Sequence, residues 1–279
     1  MKTILVPTDF SEIAHNAMDY AIEIAKLTKS KLILFHAYHV PPAIADEFIA
    51  VLTMEELEKS NVLRLENLKE EIQNRNHGSL DIECICRMGL AVDEIRELVK
   101  TGNVDLVIMG IRGTYYLSER LIGSTTTTLI KEGSCPVLVI NQNVKFKNLQ
   151  NIVFACDYNK IEDESILNPL KEFVGLFKSH VYVFNVKREM ETVLSAETSI
   201  EENLLKPFFR ETGLSFHFAD DEYEEDVTGS INTFAENKKA DMIVMIPHKH
   251  TILENILHES NTKKMAFHID IPLLALHRG

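Results

Sequence analysis

In the stretch MGIRGTYYLSERLIGST, residues 109–125, two residues separate Gly110 from Gly113 and nine separate Gly113 from Gly123, with Ser124 and Thr125 directly after. Glycine lets a backbone approach a ligand closely and reach positive φ, so successive N–H groups can converge on an anion. Gly123, Ser124 and Thr125 stand where a helix is predicted to begin, which adds two hydroxyls and the positive end of the helix dipole. The chemistry available to such a loop is phosphate binding. Ordinary turns at a strand exit and a helix start are the other explanation, and the spacing by itself leaves both open. The sequence contains neither a P-loop, G-x-x-x-x-G-K-[ST], nor G-x-G-x-x-G after its first strand.

Other reactive residue types are less organised. Asp9 lies in the loop after the first predicted strand, where it either orders the loop and caps the next helix or meets a ligand. Arg112, between two of the glycines, reads as a solvated loop charge, with a phosphate contact as the alternative. His36 and His39 follow a buried strand and read as structural. PHKH at 247–250 lacks the carboxylate or cysteine company that metals favour, and the acidic run at 220–226 reads as a solvated face. Cys84, Cys86, Cys135 and Cys156 form no C-x-x-C pair, so a reduced compartment and buried, inert thiols are expected. No nucleophile, base and orienter assemble from these residues, and no catalytic or metal-ligating residue is assigned.

The elements that must position these residues follow from hydrophobic periodicity. KTILVP reads as a strand, and Ser11 is placed to cap a helix carrying Ile13, Ala14, Ala17, Met18, Ala21, Ile24 and Ala25 at helical spacing. KLILFHAY, LDIECICRM, VDLVIMG and CPVLVI read as further strands. A surface helix from Met54 to Asn76, a helix ending at Gly102 and a short helix STTTTLIKEG lie between them. Strands alternating with helices predict a parallel, doubly wound sheet. Ligands of such sheets bind beyond the carboxyl ends of the strands, and both the Asp9 loop and the glycine loop lie on that edge.

The pattern then repeats. With a constant offset of 136, Asp105 to Ile140 falls on Asp241 to Leu276 without a gap, and Asp105, Met109, Leu117, Leu121, Ser124, Thr126, Pro136 and Leu138 recur identically. ILVPTD falls on IVFACD, setting Asp9 on Asp157. Two α/β domains are expected, 1–143 and 148–279. The second copy has Ile246, Lys249 and Glu259 at the positions of Gly110, Gly113 and Gly123, and retains only Ser260. A carboxylate at an anion site repels phosphate. One nucleotide site is therefore expected, in the first domain. Because MIPHKHTILENILHESN keeps the frame while losing each glycine, the fold itself is not expected to need them.

A net charge of −13 opposes nucleic-acid binding. No apolar run approaches a membrane span, and the short apolar run before Pro7 is no signal peptide. A soluble, cytoplasmic protein is expected.

G-x2-G-x9-G-[ST] after a DLVIMG strand, closing in CPVLVI, together with the opening ILVPTDFSE, resembles the universal stress protein family, here as a tandem two-domain member. The resemblance implies two five-stranded domains of the adenine nucleotide α-hydrolase-like kind. It also implies ATP binding with Mg²⁺ or Mn²⁺. Carried over, Asp9 and Ala37 would meet adenine or ribose, Pro7 and Met109 would line the adenosine pocket, and Gly110, Gly113, Gly123, Ser124 and Thr125 would hold ribose and phosphates. Fifth strands pair between domains in this family, implying an intrachain pseudo-dimer through 137–140 and 273–276, with homodimerisation open. The function implied is a regulatory or stress-response role. A weak ATPase or nucleotidyl-transfer enzyme and a non-binding scaffold are the alternatives.

Overall fold

Short runs of branched aliphatic residues build a sheet whose strands are covered on both faces. The computed structural model describes residues 1–39, 54–102, 104–111, 124–132, 135–156, 164–185, 216–219, 227–247 and 271–277. The first half runs β1 (Thr3–Pro7), α1 (Glu12–Thr28), β2 (Lys31–Tyr38), α2 (Met54–Arg75), β3 (Ile82–Met88), α3 (Ala91–Thr101), β4 (Leu106–Ile111), α4 (Ser124–Glu132) and β5 (Val137–Asn141). The second runs β6 (Asn151–Cys156), a 3-10 turn (Glu164–Leu167), α5 (Asn168–Phe177), β7 (His180–Asn185), β8 (Phe216–Ala219), α6 (Val227–Asn237), β9 (Met242–Met245) and β10 (Leu273–Ala275).

These strands form one ten-stranded sheet in the order β3-β2-β1-β4-β5-β10-β9-β6-β7-β8. Pairing within each half is parallel, and the halves meet where β5 and β10 run antiparallel, Val139 opposite Leu273, Leu138 opposite Leu274 and Val137 opposite Ala275. Side chains alternate across the sheet. Ile4, Val6, Leu32, Leu34, Ile108 and Leu138 pack under α1, α2 and α5 in one cluster. Leu5, Phe35, Val107, Met109 and Val139 pack with Ile95 of α3, Leu129 of α4 and Phe234 of α6 in the other. Helices on both faces make each half doubly wound, as the alternation predicts.

The repeat is visible in atoms as well as in letters. Asp105 Oδ2 accepts the N–H groups of Lys2 and Thr3 at 2.6 and 2.8 Å, and Asp241 Oδ2 accepts those of Gln150 and Asn151 at 2.9 Å each. One retained aspartate thus ties the start of β4 to β1, and its copy ties β9 to β6. The first helix of each half ends on a lysine in the left-handed region, Lys29 and Lys178, both at φ 56°. Glycine is the usual residue at that position, and neither lysine signals the stop by its type.

Residues after β5 fold back over α1. Buried Asn16 donates from Nδ2 to the carbonyls of Asn141 (3.0 Å) and Val144 (2.9 Å), while its Oδ1 accepts from Lys145 Nζ at 2.7 Å. Asn16→Leu removes the side-chain donor from the Val144 carbonyl and one of two donors from the Asn141 carbonyl, which keeps the Val144 N–H at 2.9 Å, and a loss of about 2 kcal/mol is expected in urea unfolding. An unchanged midpoint would show that the latch contributes nothing. Phe146 stands edge-on to Tyr20 at 5.1 Å and meets Phe177 of α5 at 6.1 Å, which extends the same seam into the second half.

One expectation about the thiols is corrected. Cys135 and Cys156 are buried, but Cys84 and Cys86 are only half-buried, because β3 is an outer edge strand of the sheet. Burial still pushes the Cys84 thiol up to about 12, with nearby Glu66 adding to the effect, so its nucleophilic thiolate is scarce at neutral pH.

Candidate functional site

From β1 the chain moves outward through β2 to β3 and then crosses back to β4 on the other side of β1. β1 and β4 are therefore the neighbouring strands at which the winding reverses, and the crevice beyond their carboxyl ends is where this topology places ligands. The register sets what stands there. Pro7 pairs with Phe35, and Ile4 and Leu5 pair with Leu106 and Val107. By alternation Pro7, Ala37 and Met109 fall on one face, the α3 and α4 side, at the end of the sheet. Met109 is buried and Ala37 packs partly against the same cluster. Thr125, in the first turn of α4, is half-buried, and Ser124 begins that helix. Gly113, Gly123 and Arg112 lie outside the described residues, as do Asp157, Lys249, Glu259, Ser260 and the acidic run 220–226.

The link from β1 to α1 spans only residues 8–11, and hydrogen bonds fix each step of it. Thr8 N–H donates to Phe35 O at 2.8 Å and Phe10 N–H to Thr8 Oγ1 at 2.9 Å. Ser11 N–H donates to Asp9 Oδ1 at 2.9 Å, and Ser11 Oγ accepts from Ala14 N–H at 3.2 Å. Ser11 is therefore the helix cap. The alternative that Asp9 caps the helix is overturned: it braces the residue that does. His36, read as structural, is so here, with Nδ1–H donating to the Thr8 carbonyl at 2.8 Å.

Desolvation pushes the Asp9 carboxyl up, but hydrogen bonds from Ser11 and the nearby His36 imidazole outweigh it and hold the group below its ordinary 3.8. A lowered folded value means that the charged form stabilises the fold above the ordinary value, and that this contribution is lost as pH falls through the lowered one. The stability difference between wild type and Asp9→Asn should be constant from pH 6 down to about pH 4 and then shrink toward pH 2. Denaturant midpoints of both proteins across that range test this, and a pH-independent difference would count against it.

Sequence reasoning did not anticipate Phe10. Its φ is 63°, a left-handed conformation that costs a non-glycine residue roughly 1–2 kcal/mol. Its ring packs 4.6 Å from that of His36, and the Arg64 guanidinium of α2 lies 3.9 Å from its centroid. One signal was available: TDFS must reverse the chain within four residues and contains no glycine.

Gly110 brings a second correction. A Cβ there would lie 2.6 Å from the Ile13 carbonyl oxygen and 2.7 Å from its Cγ2, so the bare side of this glycine is filled by the first turn of α1. The fold does require this glycine. In the second half Ile246 occupies the equivalent place and is buried in the core.

Among the described residues no group of three or more His, Cys, Asp and Glu is placed to hold a metal ion, and no helix is long and apolar enough to cross a membrane.

Comparison with known proteins bears on the same half. The Universal stress protein family matches residues 1–141. A universal stress protein of Methanocaldococcus jannaschii is 31% identical over 157 residues, covering 50% of this chain and 95% of its own. One of Bacillus subtilis is 27% identical over 151 residues, covering 49% and 97%. The crystal structure of a universal stress protein from Archaeoglobus fulgidus superposes on 99% of this chain and 98% of its own, with a TM-score of 0.72 at 15% identity, a likeness of fold across the entire ten-stranded arrangement. With its family match across the half that carries the glycine motif and this fold across its full length, the chain belongs to the universal stress protein family.

Proposed function

We propose that the first half, residues 1–143, binds ATP at the β1 and β4 edge, and that the second half, residues 148–279, is a non-binding internal partner. The observation that carries the reading is the convergence of Pro7, Ala37 and Met109 on one face at the point where the winding reverses, beside the fixed Asp9 loop. Pro7, Ala37 and Met109 suit the flat apolar base, and the Asp9 carboxylate suits a hydroxyl or amino donor of the nucleoside. Gly110, Gly113, Gly123, Ser124 and Thr125 are the residues for ribose and phosphates, with Mg²⁺ or Mn²⁺ arriving on the triphosphate.

The antiparallel pairing of β5 with β10 supports the second part of the proposal. It seals within one chain the edges that a single half would expose, so the second half takes the place of another subunit. The role that fits is regulatory, in the stress response of the cytoplasm, with nucleotide occupancy biasing a surface that a partner reads.

Calorimetric titration of wild type and of Gly123→Glu with ATP and Mg²⁺ tests the assignment. Wild type is expected to bind one nucleotide per chain and the variant none, since the substitution copies the second half and sets a carboxylate against phosphate. Full affinity in the variant would sink the site assignment. Turnover of about one per second would make the protein an enzyme instead, and failure of wild type to bind would make it a scaffold.

A further inference from the structure

Phe10 packs on the α1 and α2 side of the sheet, whereas Pro7, Ala37 and Met109 occupy the other, so its ring is directed away from the proposed base pocket. A left-handed backbone persists at a bulky residue only where the surroundings over-determine it, and such residues cluster at ligand-binding loops. Here the surroundings are two side chains from different elements, His36 of β2 and Arg64 of α2. His36 is itself tied to the loop by its bond to the Thr8 carbonyl. The residues flanking Phe10 are Asp9 and Ser11, whose mutual hydrogen bond sets the carboxylate. Arg64 makes no ion pair among the described residues, so its packing on the ring is its observed interaction there.

We infer that Phe10 and Arg64 are positioning residues of the nucleotide site: the Arg64, Phe10 and His36 stack holds the strained loop that presents Asp9, and the outer helix α2 thereby sets nucleotide affinity without touching the ligand. This rests on the nucleotide reading above. It makes affinity sensitive to substitutions on α2, on the face of the sheet opposite the pocket.

The test uses the full chain with Phe10→Gly, Phe10→Tyr, Arg64→Ala and Arg64→Lys, each titrated with ATP and Mg²⁺ and each melted. Arg64→Ala is expected to weaken binding about 5-fold, the scale of one exposed cation–π contact, and Arg64→Lys to recover most of it. Phe10→Gly is expected to weaken binding about 10-fold while its melting temperature holds or rises, because glycine adopts the left-handed conformation freely. Phe10→Tyr, which keeps the stack, should bind as wild type does. A residue that only supports the fold would lose stability and affinity together. Wild-type affinity in Phe10→Gly, or affinity falling only in step with stability, would overturn the inference.

Amide exchange at Ser11 and Ala14 separates this inference from the nucleotide reading, because it needs no ligand. Both amides are expected to exchange several-fold faster in Arg64→Ala and Phe10→Gly. If wild type binds no ATP, the nucleotide reading fails and the exchange data alone decide whether the stack holds the loop. Unchanged exchange overturns it.

Discussion

Gly110→Ala is expected to destabilise the protein by about 3 kcal/mol, and Gly110→Ile by more. Alanine's added carbon would sit 2.6 Å from the Ile13 carbonyl oxygen and 3.0 Å from its carbonyl carbon. Those are backbone atoms in the first turn of α1, held by the Ser11 cap two residues before Ile13, so they cannot swing aside as the end of a long side chain would. Either α1 lifts from β4 or β4 moves within the sheet, and overpacking of this kind typically costs 1–3 kcal/mol, occasionally more. Gly175 is the internal control. It lies exposed within α5 with nothing inside 4 Å of a would-be Cβ, so Gly175→Ala should stabilise by about 0.5–1 kcal/mol. Urea unfolding of both variants tests the pair. A neutral Gly110→Ala would show that α1 and β4 are not packed as described.

A charge in the seam between the halves should have an even larger effect. Leu138 and Leu274 face each other across the antiparallel junction, and both are fully buried. Leu274→Glu removes a core leucine, a loss of about 2–5 kcal/mol by truncation, and adds a carboxylate at a fully buried position, where a charge is costly. A loss above about 4 kcal/mol is expected, enough to threaten folding outright. Because β10 has only three residues, one such change disrupts the whole junction and leaves β5 an open edge. Size-exclusion chromatography should then show association through the freed edge, and Leu274→Met, similar in volume, should cost less than about 1.5 kcal/mol. A monodisperse Leu274→Glu protein of near-wild-type stability would contradict this account of the seam.

These two sites also mark how far the sequence could be read. The glycine spacing is legible because it is local, but the reason for Gly110 is not, since Ile13 belongs to another element and only packing brings its carbonyl there. Comparison of the halves misled at that point, since Ile246 is buried in the second half whereas the bare side of Gly110 is filled by α1. Phe10 was illegible for a related reason. Its conformation is held by His36 and Arg64, whose proximity depends on how β2 and α2 dock.

By itself the sequence determined the order of strands and helices, the repeat, the retained Asp105 and Asp241, the Ser11 cap and the place of the Asp9 loop at the carboxyl edge of the sheet. All of these follow from short-range periodicity and from residue types whose local chemistry has few uses. Tertiary structure alone decided that the β3 cysteines are half-exposed, that Asn16 latches the connector, that Phe10 is strained and clamped, and that Gly110 serves α1. Each of these depends on which surfaces meet across the sheet, and close packing fixes that globally rather than residue by residue.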